Sequence, residues 1–240
     1  NIPSGSIVIG SSDVMLDITK AHTCTSEQFK FIPNCVHLVT VPESPETAKN
    51  HGVIKLINKV NMDSDACFVD QAVSYMQKPS VEEMENYDAL FTLDTQSCAL
   101  VDTGIVVFTG NAVSMLEELL QNSVISQCID PSYRIPSGSS TPSTGGAPAS
   151  LRLELYTEIL LALAVKDQTD FDLSVYYSRL KIPTSVATSN SASDNSSAYS
   201  MALPILWNAL CRIPLQVICV CHGKFEHLGT TKEVLELLCM

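Results

Sequence analysis

Short unbroken apolar runs, each closed by glycine, proline or a serine–aspartate turn, recur along this chain. Runs of this kind predict strands covered on both faces. The first occupies residues 6–10 (Ser-Ile-Val-Ile-Gly) and ends in the turn Ser11-Ser12-Asp13. Others follow at 36–41, stopped by Pro42 and Pro45, at 52–57, at 100–108 and at 215–221. A different period marks the helices. Ser80 and Glu83 have capping-box spacing after Pro79, so a short helix starts there. Asn111 is placed to cap a helix over 111–121, with Val113, Leu116, Leu119 and Leu120 on one side. Residues 151–165 read as a strongly apolar, mostly buried helix, and 202–211 as a helix despite Pro204. Near the end, Phe225 to His227 reads as a strand, Gly229 as a turn, and 234–238 as a helix that Thr230 and Glu233 cap.

Alternating strands and helices predict an α/β fold, a Rossmann-like mixed sheet flanked by helices. Two stretches interrupt it. Residues 137–150 and 185–200 are rich in Ser, Thr, Gly and Asn with almost no apolar content, and are expected to be flexible insertions in one domain spanning 1–240. Pro136-Ser137-Gly138-Ser139-Ser140 imitates a phosphate loop, but no strand and helix flank it, so it reads as linker.

Composition narrows the partners. With 45% apolar residues, 240 residues can bury a sizeable core. No apolar stretch approaches the ~20 residues that span a bilayer. A net charge of −12 argues against nucleic acid or an anionic membrane as partner, since both favour basic surfaces. The nine cysteines form no repeated C-x-x-C pairs, and buried free thiols in a cytoplasmic setting are expected rather than a zinc site. Cys219 and Cys221, two apart on a strand, face the same way. Asn195-Ser196-Ser197 is a formal glycosylation acceptor that means little without a secretory signal.

Four segments carry candidate chemistry: Gln77-Lys78-Pro79, Leu100-Val101-Asp102-Thr103-Gly104-Ile105, Leu153-Glu154-Leu155-Tyr156, and Phe225-Glu226-His227-Leu228-Gly229-Thr230-Thr231. Asp13 adds a carboxylate at the end of the first strand, the edge where open α/β sheets gather ligands. Its plain alternative is the cap of a short helix at 14–18. Lys78 offers a point charge to phosphate, held by the stiff Pro79, or is simply an exposed lysine before a helix. Asp102-Thr103-Gly104 spells the aspartic-protease triplet, but Ile105 follows it and no second copy occurs, which disfavours a protease.

In this order the four segments resemble the fucokinase/GDP-fucose pyrophosphorylase family, most closely its bifunctional enzymes. The resemblance covers about residue 6 to the end, and implies transfer of a nucleotidyl group from GTP to L-fucose 1-phosphate with Mg²⁺. By position, Asp13 matches the metal-holding aspartate of the wider sugar nucleotidyltransferases and Lys78 the lysine that meets the sugar phosphate. Asp102, Gly104 and Glu154 match the sugar pocket. Gln77 departs from the Glu-Lys-Pro of related transferases, and His227 stands where the wider superfamily has a second metal-binding aspartate. Imidazole is a poor Mg²⁺ ligand, so one protein carboxylate on the metal is expected, with His227 on substrate phosphate or on nothing. His51-Gly52 resembles a strand start of the family and reads as structural. No glycine-rich nucleotide loop is visible, so the nucleotide-binding strands are expected before Asn1 and an L-fucose kinase after Met240, both in contact with this part. The rival is a non-catalytic, structural or regulatory module of a fucokinase.

Overall fold

The computed structural model describes residues 2–11, 14–17, 31–57, 67–129, 153–164, 173–180 and 194–227. Seven strands form the main sheet: β1 (Ile7–Gly10), β3 (Val36–Glu43), β4 (Gly52–Leu56), β5 (Phe68–Gln77), β6 (Leu90–Leu93), β7 (Gln96–Phe108) and β8 (Leu215–Cys219). The order along the sheet is β1-β7-β3-β8-β5-β4, with β6 beside β7, and β4 returns to pair with β7 through Val53↔Val101 and Ile54↔Leu100. Five strands, β7-β3-β8-β5-β4, therefore close on themselves. A separate antiparallel pair joins β2 (Val14–Asp17) to β9 (Lys224–His227).

The chain is mixed α/β, as expected, but the open Rossmann-like sheet is corrected to a closed, mainly antiparallel one. Its one parallel pairing among the described residues is β3 with β8. The cause of the misreading is physical. A run such as Val36–Glu43 is buried almost throughout because both faces are covered, whatever the direction of its neighbours. Val36, Leu38, Ile54, Leu100, Val106 and Phe108 face the larger core, beneath the longer helices. Val53, Ala99 and Val101 face a smaller core with Ala48 of α1 (Pro45–Ala48) and Met84 of α2 (Val81–Asn86). The predicted capping box on α2 is present: Ser80 Oγ accepts from Glu83 N at 3.0 Å and Glu83 Oε2 from Ser80 N at 2.7 Å.

Other expectations shift. β1 is an edge strand whose Ile7 and Val8 are 38% and 52% exposed, not a buried one. Residues 14–17 form β2 rather than a helix. Helix α3 (Asn111–Gln121) starts as predicted, but its cap is Gly110, which makes no side-chain cap bond; Asn34 Oδ1 accepts from Asn111 N instead. Helix α4 (Ser123–Ile129) follows it. The long helix over 151–165 is a π-turn at Leu155–Ile159 running into the four residues of α5 (Leu160–Leu163). After α6 (Leu173–Arg179) comes α7 (Asp194–Leu210), which carries Pro204 inside it and begins within the stretch expected to be a flexible insertion. The insertion at 137–150 and the capped helix at 234–238 lie outside the described residues. Among the described residues, six cysteines, including Cys219 and Cys221 with sulfurs 3.9 Å apart, are buried thiols, whereas Cys67 is disulfide-bonded, contrary to expectation.

One polar group is embedded among the helices. Glu158 is 4% exposed, and its carboxylate accepts from Tyr199 Oη at 2.6 Å and from Glu154 N at 2.7 Å. Tyr176 Oη donates to its backbone oxygen at 3.0 Å, so the π-turn, α6 and α7 meet on this residue. Burial raises the Glu158 pKa, and the Tyr199 and backbone donors oppose that rise. Tyr199→Phe is expected to cost about 1–3 kcal/mol, because it leaves a buried oxygen without its donor. Chemical denaturation at neutral pH measures it, and a loss below about 0.5 kcal/mol contradicts the assignment.

Candidate functional site

Strand β7 is thirteen residues long, and β3 runs along one of its edges. The other edge is shared. β1 pairs with residues 105–108, β4 with Leu100 and Val101, and β6 with 96–99, which leaves Asp102, Thr103 and Gly104 opposite no strand on that side among the described residues. Among the described residues, the pairing of the wall is therefore interrupted where the D-T-G triplet lies.

The triplet is folded onto itself. Asp102 Oδ1 accepts from Gly104 N at 2.7 Å, which suits a residue at φ +78°, a conformation that favours glycine. Gly104 O accepts twice, from Ser11 N at 3.0 Å and from Tyr156 Oη at 3.2 Å. A Cβ on Gly104 would lie 2.7 Å from Ser11 Cβ, so glycine is also required by space. Thr103 Oγ1 donates to Val39 O at 2.8 Å across the sheet and ties the turn to β3.

Asp102 Oδ2 meets Tyr75 Oη at 3.2 Å, and the same hydroxyl lies 3.0 Å from Gln77 Oε1. One hydroxyl proton cannot serve both acceptors. Turning the Gln77 amide over, so that its nitrogen donates to Tyr75 Oη, lets the tyrosine donate to Asp102 and satisfies all three groups. Tyr75 reaches this position because residue 52 is glycine: a Cβ there would stand 2.1 Å from Tyr75 Oη. The sequence reading of His51-Gly52 as structural thus acquires a cause.

Asp102 is 6% exposed, and burial pushes its pKa up to about 6, against the pull of the Gly104 amide and the Tyr75 hydroxyl. Burial and the neighbouring carboxylate raise Tyr75 well above an ordinary phenol. A carboxylate held so far from its free value, beside an interruption in the sheet wall, is the candidate working group of this region.

The candidates are dispersed around this centre. Lys78 follows Gln77 directly, is exposed, and sits at φ 46°, unusual for a lysine; its amide donates to His51 O at 3.0 Å. Glu154 is exposed and precedes the π-turn rather than lying inside a helix; its carboxylate faces Thr157 Oγ1 at 3.4 Å. Tyr156, two residues on, is the side chain of that segment that reaches the Asp102–Gly104 turn. Asp13 lies outside the described residues, although its neighbour Val14 stands directly opposite His227 in the β2–β9 pair. The side chain of His227 lies outside them too. Sequence reasoning missed Tyr75, Tyr156 and Ser11. Tyr156 was within the quoted Leu-Glu-Leu-Tyr segment, whereas nothing in the local pattern at Tyr75 points across the sheet to Asp102.

Among the described residues no group of three or more His, Cys, Asp or Glu side chains could hold a metal ion. Both Asp102 oxygens already take protein donors, so this carboxylate is a poor start for a magnesium site. No helix among the described residues is long and apolar enough to cross a membrane.

Comparison with solved structures finds similarity to the crystal structure of a mannose-1-phosphate geranyltransferase from Thermus thermophilus. The identity is 12%, the TM-score 0.38, and the match covers 98% of this chain and 50% of that one, so this chain spans half its length. No curated protein matches the chain. The fucose pyrophosphorylase domain, as a family model, matches residues 1–240 from end to end. The buried Asp102–Gly104 turn and the segments around it are thus parts of a chain that belongs to the fucose pyrophosphorylase domain family.

Proposed function

We propose that this chain is the guanylyltransferase part of a cytoplasmic fucose-salvage enzyme. A phosphate oxygen of L-fucose 1-phosphate attacks the α-phosphorus of GTP, and pyrophosphate leaves as GDP-L-fucose forms. The observation that carries this reading is the family match over residues 1–240. A buried carboxylate at a gap in the sheet supports it, since a carboxylate can take hydroxyl protons from a sugar, while Gly104 lets the turn beneath it pack against Ser11.

In this reading Asp102 and Gly104 shape the sugar pocket, with Glu154 at its exposed rim. Lys78 meets the sugar phosphate as a point charge, and His227 contacts the substrate. Asp13 holds Mg²⁺, which when bound would offset charge on the triphosphate. The nucleotide loop and an L-fucose kinase belong to further parts of the same protein.

The test is pyrophosphate release by the intact protein with GTP and L-fucose 1-phosphate, wild type beside Asp13→Ala. Activity of the variant is expected to fall to about a hundredth, the size of a lost electrostatic contribution at a reacting phosphate. Unchanged turnover takes Asp13 out of the site. Background release from the wild type replaces this reading with that of a non-catalytic module.

A further inference from the structure

Tyr75 Oη stands between Asp102 Oδ2 at 3.2 Å and the Gln77 side-chain amide at 3.0 Å. The hydroxyl has one proton to give, so its direction depends on the charge state of Asp102. With the carboxyl ionised, both of its oxygens can only accept. Tyr75 then donates to Oδ2, and the Gln77 amide turns its nitrogen towards the hydroxyl. The neutral carboxyl reverses this order. Its proton does not suit Oδ1, which already takes the Gly104 amide at 2.7 Å. It belongs on Oδ2, aimed at Tyr75 Oη.

The tyrosine, now receiving a hydrogen bond from Asp102, has to send its own proton on to Gln77. Were the amide to keep its nitrogen towards the ring, two donors would meet at one oxygen. The hydroxyl proton, on a residue 1% exposed, would then lack an acceptor. A half-turn of the amide removes the conflict, because its donor and acceptor occupy nearly equivalent positions. Burial brings this change into an accessible range by pushing the Asp102 pKa up to about 6. The groups around the carboxyl are polar: Tyr75 from β5, Thr40 opposite it on β3, and Ser11 and Tyr156 at the Gly104 carbonyl. Glu158, on the same π-turn as Tyr156, is engaged with Tyr199 and Glu154 N. At the far end, Gln77 lines a cavity beside β5 together with Glu83 and Arg179, and Glu83 is held on Ser80 N. Lys78 follows Gln77, with its amide on His51 O, so an imidazole also lies near this end of the strand.

We infer that Asp102, Tyr75 and Gln77 form a proton-linked switch: one proton taken up by Asp102 reverses the hydrogen bonds through Tyr75 and turns the Gln77 amide over at the cavity wall. The buried carboxyl thereby sets, from two hydrogen bonds away, which end of the amide is left for the cavity. With Asp102 ionised the free end is the carbonyl oxygen, an acceptor. With Asp102 neutral it is the nitrogen, a donor. Asp102 and Tyr75 are positioning residues in this device, and it operates whether or not the chain is a transferase.

The experiment is nuclear magnetic resonance of the protein between pH 4 and 8, labelled at the glutamine side-chain nitrogens and the aspartate carboxyl carbons. The Gln77 signal is assigned by its absence from Gln77→Met, and that of Asp102 by its absence from Asp102→Asn. In the wild type both signals are expected to titrate together, with one midpoint near pH 6. In Asp102→Asn the Gln77 signal is expected to stay at the wild-type acid limit throughout, because asparagine donates to Tyr75 as the neutral carboxyl does. In Tyr75→Phe, which keeps the ring, Asp102 is expected to titrate at higher pH, having lost a donor to its ionised form. The Gln77 signal of that variant is expected to stop titrating. A Gln77 signal that stays constant in the wild type while Asp102 titrates overturns the switch. So does an Asp102 that shows no titration in this range. Full titration of Gln77 in Tyr75→Phe would mean that the amide senses the charge through space, and in Asp102→Asn that it senses His51 or another group; either result overturns the proposal.

Discussion

Replacing Gly52 by alanine is expected to destabilise the protein by about 3 kcal/mol, the upper range for forcing one extra carbon into a packed interior. The new Cβ would stand 2.1 Å from Tyr75 Oη, 2.6 Å from Cζ and 2.9 Å from Cε2, so rotation of the hydroxyl alone cannot relieve it. The whole ring has to move, and Tyr75 is 1% exposed and packed in the larger core. Movement also breaks the Tyr75–Asp102 contact at 3.2 Å and leaves a buried carboxylate with one donor fewer. In a Tyr75→Leu background the same Gly52→Ala change is expected to cost less than about 1 kcal/mol, which gives a coupling near 2 kcal/mol in a double-mutant cycle. Urea denaturation of the four proteins measures it. Equal costs in both backgrounds would show that Gly52 is needed for some reason other than the tyrosine.

Legibility in the sequence followed the range of the interaction involved. Strands at 36–41, 52–57, 100–108 and 215–221 and the capped α2 were readable because apolar runs and Ser80/Glu83 spacing are local signals. Closure of the sheet was not. It depends on β4 pairing with both β5 and β7, and β5 itself, Phe68-Val69-Asp70-Gln71-Ala72-Val73-Ser74-Tyr75-Met76-Gln77, carries too many polar residues to stand out as a run. The helix at 151–165 was over-read for the opposite reason: its apolar content reports deep burial of Leu160 to Ala164, and burial says nothing about how many turns are regular. At the candidate site, Asp102 and Gly104 stood out through a motif, with Tyr156 unremarked inside the next one. Tyr75 and Gly52 act together across the β4–β5 pair, and neither means anything until the other is seen.

Asp102→Asn is expected to make the protein more stable at pH 7 and, under the proposed function, to weaken turnover of the sugar phosphate. The carboxyl has a pKa of about 6 in the fold against 3.8 free, with burial as the leading cause. Between those two pH values the folded state binds more of this proton than the unfolded state does. Stability therefore falls as pH rises through that window, and above it the ionised group costs about 3 kcal/mol relative to low pH. Asparagine removes the charge and keeps the geometry. Its oxygen accepts from Gly104 N and its amide nitrogen donates to Tyr75 Oη; the Gln77 amide then turns so that its Oε1 accepts the tyrosine proton, the reverse of its orientation in the wild type. The gain at pH 7 is expected to be about 2–3 kcal/mol and to vanish below about pH 4. His37 supplies an opposing slope: burial lowers its pKa to about 4, so its neutral form favours the fold progressively as pH rises towards 6.5. The wild type is consequently expected to be nearly flat over this range, and the variant to gain stability steeply with pH. Urea midpoints of the two proteins at pH 4, 5, 6 and 7 separate the contributions, because subtraction cancels His37. A variant no more stable than wild type at pH 7 would mean that the ionised carboxylate is better solvated than its burial implies. A variant that is more stable and keeps full turnover of L-fucose 1-phosphate would mean that the cost of holding this charge serves no step of the proposed reaction.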